Sequence, residues 1–151
     1  MKMLKLIVAT GLGTGYAPIA SGTFGTLVGI PVVMLLSLTH PIIYMLATVA
    51  LLLVGIRVSD FAEEYYQESD SGKIVIDEIV GYMVTMLLVP VNWMTLTAAF
   101  FVFRFFDIVK FWPARAIDQG HMGGAGVMLD DVAAGLYGCI LMQFIARLWL
   151  I

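Results

Sequence analysis

Five strongly apolar segments lie at roughly 24–39, 41–57, 76–91, 93–109 and 128–150, the last three with carboxylates at one end, and that combination leaves the chain few ways to fold. The residues are 61% hydrophobic and only 13% charged, and the mean hydropathy is +0.97. Soluble domains carry about 25% charged residues, and a chain of 151 residues has too little interior to hide so much apolar surface. The expectation is one all-α domain over 1–151: a compact helical integral membrane protein with about five apolar helices and a polar site on its cytoplasmic face. At about 1.5 Å per residue the fifth segment is long enough to cross a bilayer, and the first four lie near the short end of the spanning range.

The connectors set the expected topology. Thr39-His40-Pro41 joins the first two segments and Val91-Asn92 the third and fourth, with no Lys, Arg, Asp or Glu in either turn. If the chain alternates sides, the N-terminal arm and the 58–75 and 110–127 loops share one face. That face holds Lys2, Lys5, Arg57, Lys73, Lys110 and Arg115, with Arg104 just inside it, while Arg147 falls toward the other. Positively charged loops stay in the cytoplasm. The same alternation brings Asp77, Glu78, Asp107, Asp130 and Asp131 to that face, which the positive-charge rule did not require.

Carboxylates at a bilayer edge are costly to desolvate and read first as functional. Two acidic pairs and a fifth carboxylate suit a hard divalent cation such as Mg²⁺, which takes oxygen ligands. In Arg104-Phe105-Phe106-Asp107-Ile108-Val109-Lys110 the three charges recur at helical spacing along one face. Asp107 then serves as a metal ligand and Arg104 and Lys110 as phosphate grips; a plain ion pair with a snorkelling lysine is the alternative. Asp77 and Glu78 are about 100° apart on a helix, so both reach one metal only if the site is wide or one supports the other. Gly123-Gly124-Ala125-Gly126 leads into Asp130-Asp131, and Gly124 and Gly126 could offer backbone N–H groups to a phosphate.

A second glycine-rich region runs through Gly11-Leu12-Gly13-Thr14-Gly15 and Ser21-Gly22-Thr23-Phe24-Gly25. It follows no strand, which removes a dinucleotide-binding reading. Close helix packing through Gly25 and Gly29 and a headgroup-contacting loop that includes Thr23 remain side by side. Glu63, Glu64, Glu68 and Asp70 read as a solvated surface, and His121 as a solvated loop residue. Cys139 lies in an apolar run with nothing to stabilise a thiolate. The opening MKMLKLIVAT reads as a retained segment rather than a cleaved leader. A net charge of −3 gives no basis for nucleic-acid binding.

Taken together, these blocks resemble the phosphatidylglycerophosphatase A family. The resemblance runs from Gly11–Gly15 and Gly22-Thr23-Phe24-Gly25-Thr26-Leu27, through Ile74-Val75-Ile76-Asp77-Glu78-Ile79-Val80-Gly81 and Phe103–Lys110, to Gly124–Gly135. Ser21, Ser71 and Phe111 stand where the family often has proline, which alters loop stiffness and not charge. The resemblance implies Mg²⁺-dependent removal of the terminal phosphate of phosphatidylglycerol phosphate, giving phosphatidylglycerol. It further implies a multi-pass protein of the bacterial cytoplasmic membrane, with the bilayer and a phospholipid as partners, and is compatible with a homo-oligomer.

The residues narrow the chemistry. The sole cysteine is remote from any arginine pocket, and the two histidines, His40 and His121, fall on opposite faces. Metal, carboxylates and basic groups remain, with either water or a carboxylate as nucleophile. A small oligomeric transporter or cation channel is the alternative function; it requires carboxylates along a path and on both faces. A structural partner of lipid enzymes would explain the packing glycines but not the paired acids.

Overall fold

The computed structural model describes residues 2–120 and 122–149; His121 lies outside them. Every regular element among these residues is a helix. They are α1 (Lys2–Ala9), a single 3₁₀ turn (Thr14–Tyr16), α2 (Ser21–Ser37), α3 (Pro41–Tyr66), α4 (Ile76–Thr85), α5 (Trp93–Val109), α6 (Ala114–Asp118) and α7 (Gly124–Trp149).

The uncharged turns work as helix starts. His40 Nδ1 accepts the Ile42 N–H at 3.3 Å, with Pro41 in the first helical position, where a missing N–H costs nothing. Asn92 and Thr95 form a reciprocal capping box that opens α5. At the other ends, α3 stops at Gln67 and α5 at Lys110, both in the left-handed conformation.

The segment expected at 76–91 differs most from its expected form. Its helix, α4, has ten residues, about 15 Å, half the thickness of a hydrocarbon core. It is the central post of the fold, buried on nearly every side and packed mainly on α7 and α2, with α3 and α5 completing the wrap. A short helix ending inside a protein leaves carbonyls that must find donors. Tyr44 Oη donates to Met83 O at 2.8 Å, and Gln143 Nε2 donates to Leu87 O at 2.8 Å.

Glycines allow the approach to this post. A Cβ on Gly135 of α7 would lie 2.4 Å from Gly81 O of α4, so the two backbones meet with no room for a side chain. A Cβ on Gly25 or Gly29 of α2 would fall 2.6 Å from the Val75 side chain or 3.0 Å from the Tyr82 ring, which gives this glycine pair its packing role. The 58–75 loop is shorter than expected because α3 continues to Tyr66.

Outside the post the surface is apolar. Ile42, Ile43, Leu46, Val49 and Leu53 of α3 and Leu136, Ile140, Phe144 and Leu148 of α7 are all exposed. Among the described residues, two helices are long and apolar enough to cross a membrane by length and composition, α3 and Gly124–Leu148 within α7. They run antiparallel: Asp60, near the end of α3, accepts the Gly124 N–H at the start of α7 at 2.7 Å.

Candidate active site

The starts of α2, α4 and α7 and the end of α5 meet around one cavity of about 380 Å³. Two tethers bring the N-terminal arm to it. Val75 N–H donates to Ala9 O at 2.9 Å, and Ser21 Oγ donates to Gly72 O at 2.6 Å. Asp77, Glu78, Asp107, Asp130 and Asp131 all line this cavity, together with Arg104 and Lys110.

The five carboxylates divide into two kinds. Asp77, Glu78 and Asp131 each bring one oxygen within 4.8 Å of the other two. Adjacent side chains on α4 thus converge on a third from α7, so the 100° separation is bridged. Asp107, which also lies beside Asp131, and Asp130 pair with the cations. Asp107 Oδ2 meets Arg104 Nη1 at 2.5 Å one turn away on α5, and Asp130 Oδ2 meets Lys110 Nζ at 2.6 Å across from α7. Arg104 also approaches Glu78 Oε1 at 3.9 Å, linking the two groups.

Charge and burial define what the triad can do. Asp77, Asp107, Asp130 and Asp131 are buried. Five carboxyl groups and two bases line the cavity, before Asp70 is counted. Buried polar atoms without partners are rare in folded proteins. Asp77 Oδ1, Glu78 Oε2 and Asp131 Oδ2 are three such atoms, one from each member of the triad. Orphaned, crowded carboxyl oxygens of this type suit a hard divalent cation, so the residues present fit Mg²⁺.

Gly22 sits against the triad. A Cβ at this position would fall 2.1 Å from Glu78 Oε1 and 2.9 Å from Arg104 Nη1. The glycine region therefore touches the site through Gly22 and its neighbour Ser21. Thr23, expected to contact phosphate, occupies the first turn of α2 and is not among the lining residues.

The other glycine expectations are placed differently. The Gly124 N–H is taken by Asp60, and Gly126 lines a neighbouring polar cavity of about 320 Å³ that shares Asp70 and Asp130 with the main one. Asp60 had no signal in the sequence, since it lies 64 residues from its partner. The acidic run is mixed in character. Glu63 Oε1 accepts the Asp70 N–H at 2.6 Å and Glu68 Oε2 accepts Ser71 Oγ–H at 2.8 Å, both fixing the turn after α3, while Asp70 itself reaches the cavity. Nothing about Asp70 in the sequence distinguishes it from its solvated neighbours.

Comparison with known proteins gives the family. A family model described as Phosphatidylglycerophosphatase A matches residues 7–146. The chain is 33% identical to Phosphatidylglycerophosphatase A of Escherichia coli strain K12, over 95% of this chain and 84% of that protein. It is 37% identical to the Haemophilus influenzae protein of the same name, over 96% and 90%. It is 39% identical to a Putative phosphatidylinositol-3-phosphatase of Bacteroides thetaiotaomicron, over 98% and 96%. No solved structure matches the chain significantly. The transporter or channel alternative has no support: the named relatives are phosphatases, and the carboxylates gather round one cavity. A match over nearly the whole chain, together with relatives of this identity and coverage, places the chain in the phosphatidylglycerophosphatase A family of phosphatases.

Proposed function

We propose that the chain hydrolyses phosphatidylglycerol phosphate to phosphatidylglycerol and inorganic phosphate, in phospholipid synthesis, with Mg²⁺ held by Asp77, Glu78 and Asp131. The observation that carries this reading is the triad of partnerless buried oxygens in the same cavity as an arginine and a lysine. When bound, the ion would polarise the phosphate and supply a water of lowered pKa.

The remaining work belongs to side chains. Arg104 is a planar fork that grips two phosphate oxygens at once, and its Asp107 partner fixes the direction of that fork. Lys110, tethered by Asp130, adds a point charge at the rim. Both offset negative charge on the transferring phosphoryl group. Asp107 and Asp130 are thereby positioning residues for the cations, while the triad holds the metal.

The reading includes a multi-pass protein of the bacterial cytoplasmic membrane with its cavity toward the cytoplasm. The distribution of Lys and Arg and the two long apolar helices support that orientation.

The test is phosphate release by purified protein in mixed micelles, with and without Mg²⁺, from phosphatidylglycerol phosphate and from phosphatidylinositol 3-phosphate. The expected result is metal-dependent release with preference for the first lipid. Release that survives chelation removes the metal, and preference for the inositol lipid reassigns the substrate.

A further inference from the structure

The cavity has two unlike rims. One is polar, formed by Asp70, Ser71 and Gly72 after α3. The other is apolar. Ala20 lines the cavity beside Ile19, which is 79% exposed, and across from them Ile108 both lines the cavity and is 71% exposed. Ile108 also begins a stripe. Phe105 (54% exposed) and Phe101 (66% exposed) lie at i−3 and i−7, on the same helical face, and carry it about 10 Å along α5.

The exposed apolar face of α3 lacks that continuity. The groove on α3 formed by Leu53, Val54, Ile56, Arg57 and Val58 has no carboxylate in its lining. A second row of exposed apolar side chains, Phe24 and Leu27, follows the start of α2, but neither lines the cavity, whereas Ile108 is itself part of the lining and of the exposed row on α5.

Taking the substrate to be a membrane lipid with a phosphomonoester head, as proposed above, we infer that the Ile108–Phe105–Phe101 face of α5 seats an acyl chain of that lipid. The lipid enters sideways past Ile108, and its head alone passes into the cavity. Lipid tails gain little from apolar protein relative to other tails, so the stripe orients more than it attracts. Its apolar surface holds the glycerol end of the lipid at the mouth and keeps polar groups from competing there. The polar rim remains open to water and serves departure of phosphate.

The test uses full-length protein in phosphatidylcholine bilayers without Mg²⁺. The probe is phosphatidylglycerol phosphate carrying a photoreactive diazirine on one acyl chain. After irradiation and peptide mapping, adducts on Phe101, Phe105 or Ile108 should fall when unlabelled phosphatidylglycerol phosphate is added in excess. Adducts on the lipid-facing residues of α3, such as Leu46, should persist. Competition confined to α3 or α7, or absent from α5, overturns the inference.

Kinetics supply a second arm. Ile108→Asn should lower kcat/KM for the diacyl lipid about tenfold, through lost orientation at the mouth, and lower it for the deacylated, water-soluble head group far less. Ile108→Leu should restore the lipid value. Equal effects on both substrates, or an equal loss in Ile108→Leu, also overturn it. If the wild-type protein releases phosphate from neither substrate, the lipid-phosphatase reading itself fails and takes the acyl seat with it, a result seen before any variant is made.

Discussion

Gly22→Ala separates the site from the fold. The added Cβ would sit 2.1 Å from Glu78 Oε1, whereas ordinary contact begins near 3.4 Å, so the carboxylate must retreat by about 1.3 Å. The obstructing atom is the far end of a flexible side chain, and α4 need not move. Stability should therefore change little, on the order of the ±0.5 kcal/mol typical of mild substitutions. The retreat nonetheless takes Glu78 out of reach of Asp77 and Asp131, whose oxygens now lie within 4.8 Å of it. It also pushes on Arg104 Nη1, 2.9 Å from the same Cβ. A misplacement of about 1 Å in a reacting constellation costs about a hundredfold in rate. The assay is Mg²⁺-dependent phosphate release from phosphatidylglycerol phosphate, read beside thermal unfolding in detergent. The expected result is a kcat lower by about a hundredfold with Tm nearly unchanged. Gly135→Ala gives the contrast, because its Cβ meets the Gly81 carbonyl at 2.4 Å and backbone cannot step aside; this variant should lose stability first. A Gly22→Ala protein with wild-type kcat at limiting Mg²⁺ would show that Glu78 has no part in holding the metal.

Four further outcomes are expected. Asp131→Asn should raise the Mg²⁺ concentration for half-maximal rate by about tenfold or more, on the scale of disturbed metal shells, whereas Asp107→Asn should lower kcat with a smaller change in metal requirement; a Mg²⁺ titration of both distinguishes ligand from positioning residue. Arg104→Lys keeps the charge but loses the fork and should lower kcat by roughly tenfold to a thousandfold, with Lys110→Arg milder; steady-state kinetics in mixed micelles measure both. Asp60→Ala removes the cap on the first N–H of α7 and should cost about 1 kcal/mol, seen as a lower Tm with activity kept below the transition. Single cysteines at Gln67 and Gln119, in a Cys139→Ser background, should resist an impermeant thiol reagent added outside intact cells, and labelling of both would reverse the proposed orientation.

The sequence by itself determined most of the charged residues that gather at the cavity. Apolar periods and uncharged turns implied helices near the observed α2, α3, α5 and α7, because capping residues such as Asn92 and His40 act within a few residues of themselves. The acidic pairs and the Arg104–Lys110 spacing marked the cavity lining for the same local reason: desolvated charges at apolar ends are conspicuous wherever the chain goes. What the sequence could not divide was labour among those charges. Asp107 and Asp131 look alike in one dimension, yet one is neutralised by Arg104 at 2.5 Å and the other leaves an oxygen without a partner. That distinction depends on which helices cross beside each carboxylate. Gly135 meeting Gly81, and Gly25 meeting Val75, set those crossings. The same crossings make 76–91 a short buried post instead of a lipid-facing span, since hydropathy reports an apolar environment without saying whether lipid or protein supplies it. Asp60 was silent, and the choice between packing and headgroup contact around Gly22 stayed open, for the related reason that their partners, Gly124 and Glu78, lie far along the chain and become neighbours only when α3 meets α7 and α2 meets α4.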